Sequence, residues 1–452
     1  MERLTNRRDF LRTTTAGGLG LWVAGGHMPS LAVSPNEKLN IAIVGVGGKG
    51  RDHVEDPEVK LENVVALCDI DDNFLGGAAN VYPKAKTYND FRRMLEEEKG
   101  IDAVICCTPD HTHAVVTAAA LRLGKHVYTQ KPLTHSVYEA HVLADLAARN
   151  PKLATQMGNQ GHSNEGARQV VEIIRAGVIG PVREVHAWTD RPIWPQGLER
   201  PKETPEVPKH IHWDLWLGPA PERSYNPAYH PFSWRGWWDF GTGALGDMAC
   251  HVADTAFWAL DLRHPTSIDA KAEGTTSESA PKWSIVTYEF PARGENPPVK
   301  FTWYDGGKKP PIELLQGLEL TKEEKAKGKT QVDYEPNGSL LVGDKGVIYL
   351  DDPYGSHYKL LPEKGFEGFK PPAPSLKRSP GHMKDWIVAA KHGTQACSHF
   401  DYASALTGMV LLGNLAIRAG KKLEWDAPNM RATNCSEIDE FIRPDYRKGW
   451  SL

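Results

Sequence analysis

The residues able to do chemistry in this chain stand at a few telling spacings. Gly45, Gly47 and Gly50 fit G-x-G-x-x-G within Lys38 to Gly50, and Gly48 lies inside the same turn. In such a loop the first glycine permits a tight turn, the second lets backbone approach a pyrophosphate, and the third lets the next helix pack on the preceding strand. A phosphate would sit at that helix's N-terminus, where free N–H groups and the dipole favour an anion. Asp69 follows nineteen residues after Gly50. A carboxylate there can accept hydrogen bonds from an adenosine ribose diol and would repel a 2′-phosphate, so NAD is expected over NADP. Asp71 and Asp72 leave the exact ribose ligand open. Asp247 and His251 are four residues apart, hence on one face of a helix. Such a pair is a local hydrogen bond, half of a metal site, or an acid/base pair, because imidazole exchanges protons near neutral pH. No third ligand stands at a fixed spacing, so no metal is expected.

The elements that must position these residues alternate strand and helix as far as about residue 158. Ile41 to Val44 is a short apolar run suited to a parallel strand covered on both faces, and Asn63 to Cys68 is a second. Ala103 to Cys107 is a third, opening into Thr108-Pro109-Asp110-His111-Thr112-His113 at the strand end where open α/β sheets bind ligands. For His111 and His113, loop-stabilising hydrogen bonds and direct cofactor contact are equally open. Lys125 to Tyr128 is a short strand that ends in Thr129-Gln130-Lys131-Pro132. Beyond residue 158 strand-like runs recur at 182–188, 284–290 and 299–303, with a hairpin expected around Gly343-Asp344-Lys345-Gly346. Strands with few helices between them predict a mostly antiparallel sheet. The expected fold class is therefore α/β, a Rossmann dinucleotide-binding domain at 36–158 followed by an α+β domain at 159–420 with a large open sheet, and a tail at 421–452. Helices are read at 381–390 and 402–420, the second apolar enough to be buried.

Length and composition agree with two soluble domains: 452 residues, 24% charged and 40% hydrophobic, with a formal charge of −4. No polybasic block follows the N-terminal segment, so nucleic acid is not an expected partner. The six cysteines show no C-x-x-C spacing and read as buried, reduced thiols. Thr5 to Arg12 places paired arginines before an apolar, glycine-rich stretch and a small-residue site at Ser30-Leu31-Ala32. Residues 1–32 thus resemble a twin-arginine export signal, predicting a periplasmic or exported protein without stable membrane insertion.

The glycine fingerprint, the TPxxxH loop and the strand-terminal Lys131-Pro132 together resemble the Gfo/Idh/MocA family, which includes glucose–fructose oxidoreductase and inositol dehydrogenases. Gln130 stands where that family usually has glutamate, and it cannot share a proton with the lysine. Gly241 to His251 resembles the family's GGGxxxDxGxH motif, with Thr242 and Ala249 replacing glycines. The resemblance implies that Lys131, Asp247 and His251 are catalytic. It places Gly45, Gly47, Gly48, Gly50, Asp69, Thr108, Pro109, His113, Gln130 and Lys131 at the cofactor. Of eight tryptophans between Trp188 and Trp258, some must be core, and at least one is expected against a sugar ring. The expected substrate contacts are Lys131, Trp188, Arg191, Trp234, Arg235, Asp247 and His251. In this reading His251 is the acid/base, Lys131 supplies positive charge at the reacting oxygen, and Asp247 binds a second hydroxyl or orients the imidazole. The implied activity is NAD-dependent oxidation of a CH–OH group on a sugar, cyclitol or glycoside, in a homo-oligomer, a dimer or tetramer. The rivals are a redox-assisted glycosidase that uses NAD transiently and a non-catalytic sugar-binding protein.

Overall fold

The computed structural model describes residues 37–452, so the expected export signal lies outside the described residues. Six short strands form the first sheet: β1 (Asn40–Val44), β2 (Asn63–Cys68), β3 (Lys86–Tyr88), β4 (Ala103–Cys106), β5 (His126–Thr129) and β6 (Thr155–Met157). Ile41, Ala42 and Ile43 are fully enclosed, because helices cover both faces of the sheet and leave no solvated side for polar residues. All neighbours pair in parallel in the order β3-β2-β1-β4-β5-β6. The order reverses between β1 and β4, and the crevice at that switch point is where such sheets bind ligands.

The second sheet has nine strands: β7 (Val182–Trp188), β8 (Ser267–Glu273), β9 (Trp283–Phe290), β10 (Val299–Tyr304), β11 (Gly338–Gly343), β12 (Gly346–Leu350), β13 (Lys359–Leu361), β14 (Leu423–Asp426) and β15 (Arg431–Ala432). Their order is β13-β12-β11-β7-β10-β9-β8-β14-β15, antiparallel except where β7 and β10 run parallel. A parallel pair needs a long crossover, and the loops and helices between residues 188 and 299 provide it. The expected hairpin is β11–β12, with Gly343 opposite Gly346.

Two C-terminal elements return to the earlier parts of the chain. The helix His382–His392 buries Trp386 against Tyr128 of β5, ring centroids 5.7 Å apart. The helix Phe400–Ala419 packs on the helix Val137–Arg149 and on β8 and β9. It has the length and apolarity of a membrane span, but 78% of its most apolar window is enclosed by the protein. It is a core helix. Segment 421–452 is not a separate tail, since β14 extends the second sheet beside β8.

Candidate active site

The glycine loop is built by close approach. Gly45 N–H donates to Cys68 O (2.8 Å), tying the end of β1 to β2. A Cβ on Gly50 would lie 1.9 Å from Gly45 O, so only glycine lets the helix Lys49–Glu55 start where it does. Gly48 has φ +47°, and a Cβ there would meet nothing within 4 Å because it faces the open cleft. A Cβ on Gly47 would strike the Phe74 ring at 2.4 Å, so this glycine also makes room for an aromatic wall. Asp69 completes the cradle: its Oδ2 accepts from Val46 N–H (2.7 Å) and Gly47 N–H (3.2 Å), and its Oδ1 from Asp71 N–H (2.9 Å). Burial pushes its carboxyl up to about 6 despite those three donors. Asp71 instead caps the helix Asp72–Val81 through Asn73 N–H, and Asp72 accepts from Asn89. Of these three acids, Asp69 is the one that lines the cleft.

One cleft of about 560 Å³ joins this loop to the lysine and aspartate. Its wall includes Gly45, Gly47, Gly48, Asp69, Thr108, Pro109, Lys131 and Asp247. Lys131 Nζ donates to Asp247 Oδ1 (2.7 Å) and to Asp247 O (2.7 Å). The Arg235 guanidinium stands 3.5 Å from the same Oδ1 and lies over the Trp234 ring at 4.3 Å. Burial alone would raise the Asp247 carboxyl, but Lys131 and Arg235 hold it below the usual carboxylate range. Asp110, at the start of the helix Asp110–Arg122, accepts from Thr242 O–H (2.7 Å), and burial pushes its carboxyl up to about 7.

The loop histidines are structural braces. His113 lines the cleft, yet its ring nitrogens face Pro132 O (2.7 Å) and Thr108 O (2.8 Å). His111 spans Phe240 O and Trp216 O in the same way. Gln130 reaches the cleft, and its amide Nε2 meets His53 Nε2 at 2.7 Å beneath the glycine helix. Burial holds His53 down to about 3, so the ring is neutral and accepts from the amide. The partner of the substituted position is therefore a histidine on the glycine helix.

Three expected substrate contacts stand elsewhere. Trp188, at the end of β7, is wholly enclosed between Tyr334 and Tyr349, and its Nε1–H donates to Glu335 O. The pleat turns its side chain into a separate aromatic core, away from the cleft. Arg191 is also outside the cleft, paired with Asp190 (2.6 Å). His251 lies behind the wall with Tyr354 edge-on at 5.2 Å, and its Nδ1 has no partner among the described residues. Burial, then the Lys131 charge, push it down to about 3, so its ring is neutral at pH 7. Trp234 and Arg235 do line the cleft. Sequence reasoning missed Trp450, which lines the cleft beside Asp90 and Phe91. Arg92 lies over its ring at 4.3 Å and donates to Gly449 O. The only signal was an aromatic residue near the end of a polar segment.

The comparisons with known proteins bear directly on this arrangement. Residues 39–158 match the model of an oxidoreductase family's NAD-binding Rossmann fold, and residues 168–295 match that family's C-terminal alpha/beta domain. The chain belongs to the Gfo/Idh/MocA oxidoreductase family. Inositol 2-dehydrogenase of Salmonella typhimurium is 32% identical over 155 residues, 33% of this chain and 45% of that protein. Glycosyl hydrolase family 109 protein 1 of Akkermansia muciniphila is 28% identical over 170 residues, 35% of this chain and 34% of that protein. The chain thus spans less than half the length of these curated relatives. Among solved structures, the WlbA dehydrogenase from Bordetella pertussis in complex with NADH and UDP-GlcNAcA superimposes with a TM-score of 0.58 at 15% identity. That match covers 86% of this chain and 99% of that one, and it shows the shared Gfo/Idh/MocA fold.

Proposed function

We propose that the protein is an NAD-linked oxidoreductase acting on a CH–OH group of a sugar, cyclitol or glycoside. The observation that carries this reading is a single cleft holding both the glycine loop with Asp69 and the Lys131–Asp247 pair. The loop residues fit a dinucleotide: the glycines leave room for a pyrophosphate, and Asp69 offers a carboxylate to a ribose diol and repels a 2′-phosphate, which favours NAD over NADP. When bound, the dinucleotide supplies the hydride acceptor.

The chain's own residues do the rest. Lys131 has three N–H donors, two spent on Asp247, and the third is free for the reacting oxygen of the substrate. Asp247, itself paired with Arg235, fixes that ammonium in place, so the positive charge is set before an alkoxide develops. His251, one helical turn beyond Asp247, lies behind the wall, so Asp247, ionised and on the wall, is the base within reach of the hydroxyl proton. Trp234, with Arg235 stacked on it, offers an aromatic face to a sugar ring. The twin-arginine pattern supports export of the folded, cofactor-loaded enzyme, and a retained cofactor follows from that route.

The relatives named as glycosyl hydrolase family 109 proteins support a second reading, elimination and hydration of a glycoside with the cofactor oxidised and reduced in turn. Mixing the purified protein with a panel of polyols and chromogenic glycosides separates the two. Substrate-dependent growth of NADH absorbance is expected. Aglycone release with no net NADH points to the glycosidase, and neither signal with any compound contradicts both.

A further inference from the structure

A second cavity, also of about 560 Å³, shares no lining residue with the dinucleotide cleft. It lies among the helices Glu165–Arg175 and Asp254–Leu260 and the segments 376–379 and 395–402. Arg168 lines it and is only 2% exposed. Its guanidinium donates to the carbonyls of Lys377 (2.9 Å), His162 (2.7 Å) and Asn164 (3.3 Å). No carboxylate lies within ion-pair distance of it among the described residues, and its Nη2 has no hydrogen-bond partner there. A buried guanidinium is normally paired, because removing a charge from water without a counter-ion is costly.

The other charges on the wall do not supply that counter-ion. Arg263 is held by Asp261 and Asp401 (both 3.1 Å), and Arg378 by Glu165 (3.0 Å) and Glu172 (2.7 Å). Arg175 and Lys377, on the rim, have no ion-pair partner among the described residues. Asp385 is the remaining carboxylate on the wall, and its Oδ2 accepts from Cys397 N–H (2.7 Å). Three unpaired cations therefore face one carboxylate. His162 adds a directional group: its Nδ1 meets Asp254 Oδ2 at 3.0 Å, and its ring stacks on Trp258 at 4.2 Å. The carboxylate selects the Nδ1–H tautomer and fixes the ring's orientation beside the cavity.

We propose that this cavity binds a small organic anion, a phosphorylated or carboxylated ligand. Arg168 is its innermost cation, Arg175 and Lys377 form its rim, and Trp258 its apolar wall. Charge-assisted hydrogen bonds from a planar guanidinium suit phosphate and carboxylate oxygens alike.

The test uses the full chain saturated with NAD, so that the pyrophosphate site is occupied. Inorganic phosphate and glucuronate are titrated separately by calorimetry, with phosphorus NMR line broadening as a second readout for phosphate. At least one is expected to bind once per chain with a Kd on the order of 1 mM or tighter. In Arg175→Ala/Lys377→Ala the affinity should weaken at least about tenfold, with hydride transfer unchanged. Arg168→Met should abolish binding. Because that variant loses three hydrogen bonds and can misfold, the rim double variant, exposed and free of structural partners, decides the matter. Absence of binding by both probes to the wild type overturns the proposal, as does binding that the rim variant leaves unchanged.

Discussion

Replacing Lys131 by methionine keeps the unbranched stem but removes the terminal ammonium and its charge. Lys131 and Asp247 are 17% and 14% exposed at the side chain, and two 2.7 Å hydrogen bonds join them. Breaking a fully buried pair costs about 3–5 kcal/mol. Here Arg235 remains 3.5 Å from Asp247 to share its charge, which lowers the expected stability loss to roughly 1–3 kcal/mol. The protein should stay folded. The chemical step should suffer more, because the donor to the reacting oxygen is gone: a fall of about 10² to 10⁴ corresponds to roughly 3–5 kcal/mol of barrier. Lys131 makes no hydrogen bond to the glycine loop, so nucleotide content should not change. The assay is single-turnover NADH formation beside nucleotide extracted from the denatured protein. Wild-type turnover in the variant, or loss of nucleotide together with activity, refutes the assigned role.

Two further outcomes follow from the same geometry. Burial holds His53, His111 and His251 down to about 3 and His113, His135 and His382 down to about 4, so the unfolded chain binds more protons than the folded one below pH 6.5. Asp69, Asp110 and Asp305, raised to about 6, 7 and 6, act in the opposite sense but are outnumbered. Thermal melts should show stability falling as pH drops from 6.5 toward 4, and a constant or rising Tm contradicts this. Trp450→Ala should speed NAD dissociation about tenfold or more by opening the cleft beside Phe91, leaving the single-turnover rate of loaded enzyme intact. Unchanged dissociation in a stopped-flow displacement experiment removes Trp450 from the site.

The parts of the site legible in the sequence are those fixed by local spacing. The glycine loop, Asp69 and the shared face of Asp247 and His251 depend on one turn or one strand–helix unit, and Lys131 stands where its strand ends. What was not legible depends on contacts between distant segments. Tryptophans suit sugars, which points Trp188 to the substrate, but strand parity and the Tyr334–Tyr349 pair turn it into a core of its own. Gln130 finds His53, 77 positions away, and Trp450 reaches Arg92 across nearly the whole chain. The i, i+4 pair suggests an ordinary imidazole for His251, whereas burial and the nearby Lys131 charge make it a neutral ring. Burial of that kind cannot be read from an i, i+4 pair.

A cofactor-loaded oxidoreductase is tested by the nucleotide content of the purified protein after exhaustive dialysis. Retention on the nanomolar scale corresponds to about −12 kcal/mol, within reach of a glycine loop, a ribose carboxylate and an aromatic wall acting together. About one NAD(H) per chain is expected, reduced by substrate without added nucleotide. A protein that emerges empty and works only with micromolar or higher free NAD contradicts it.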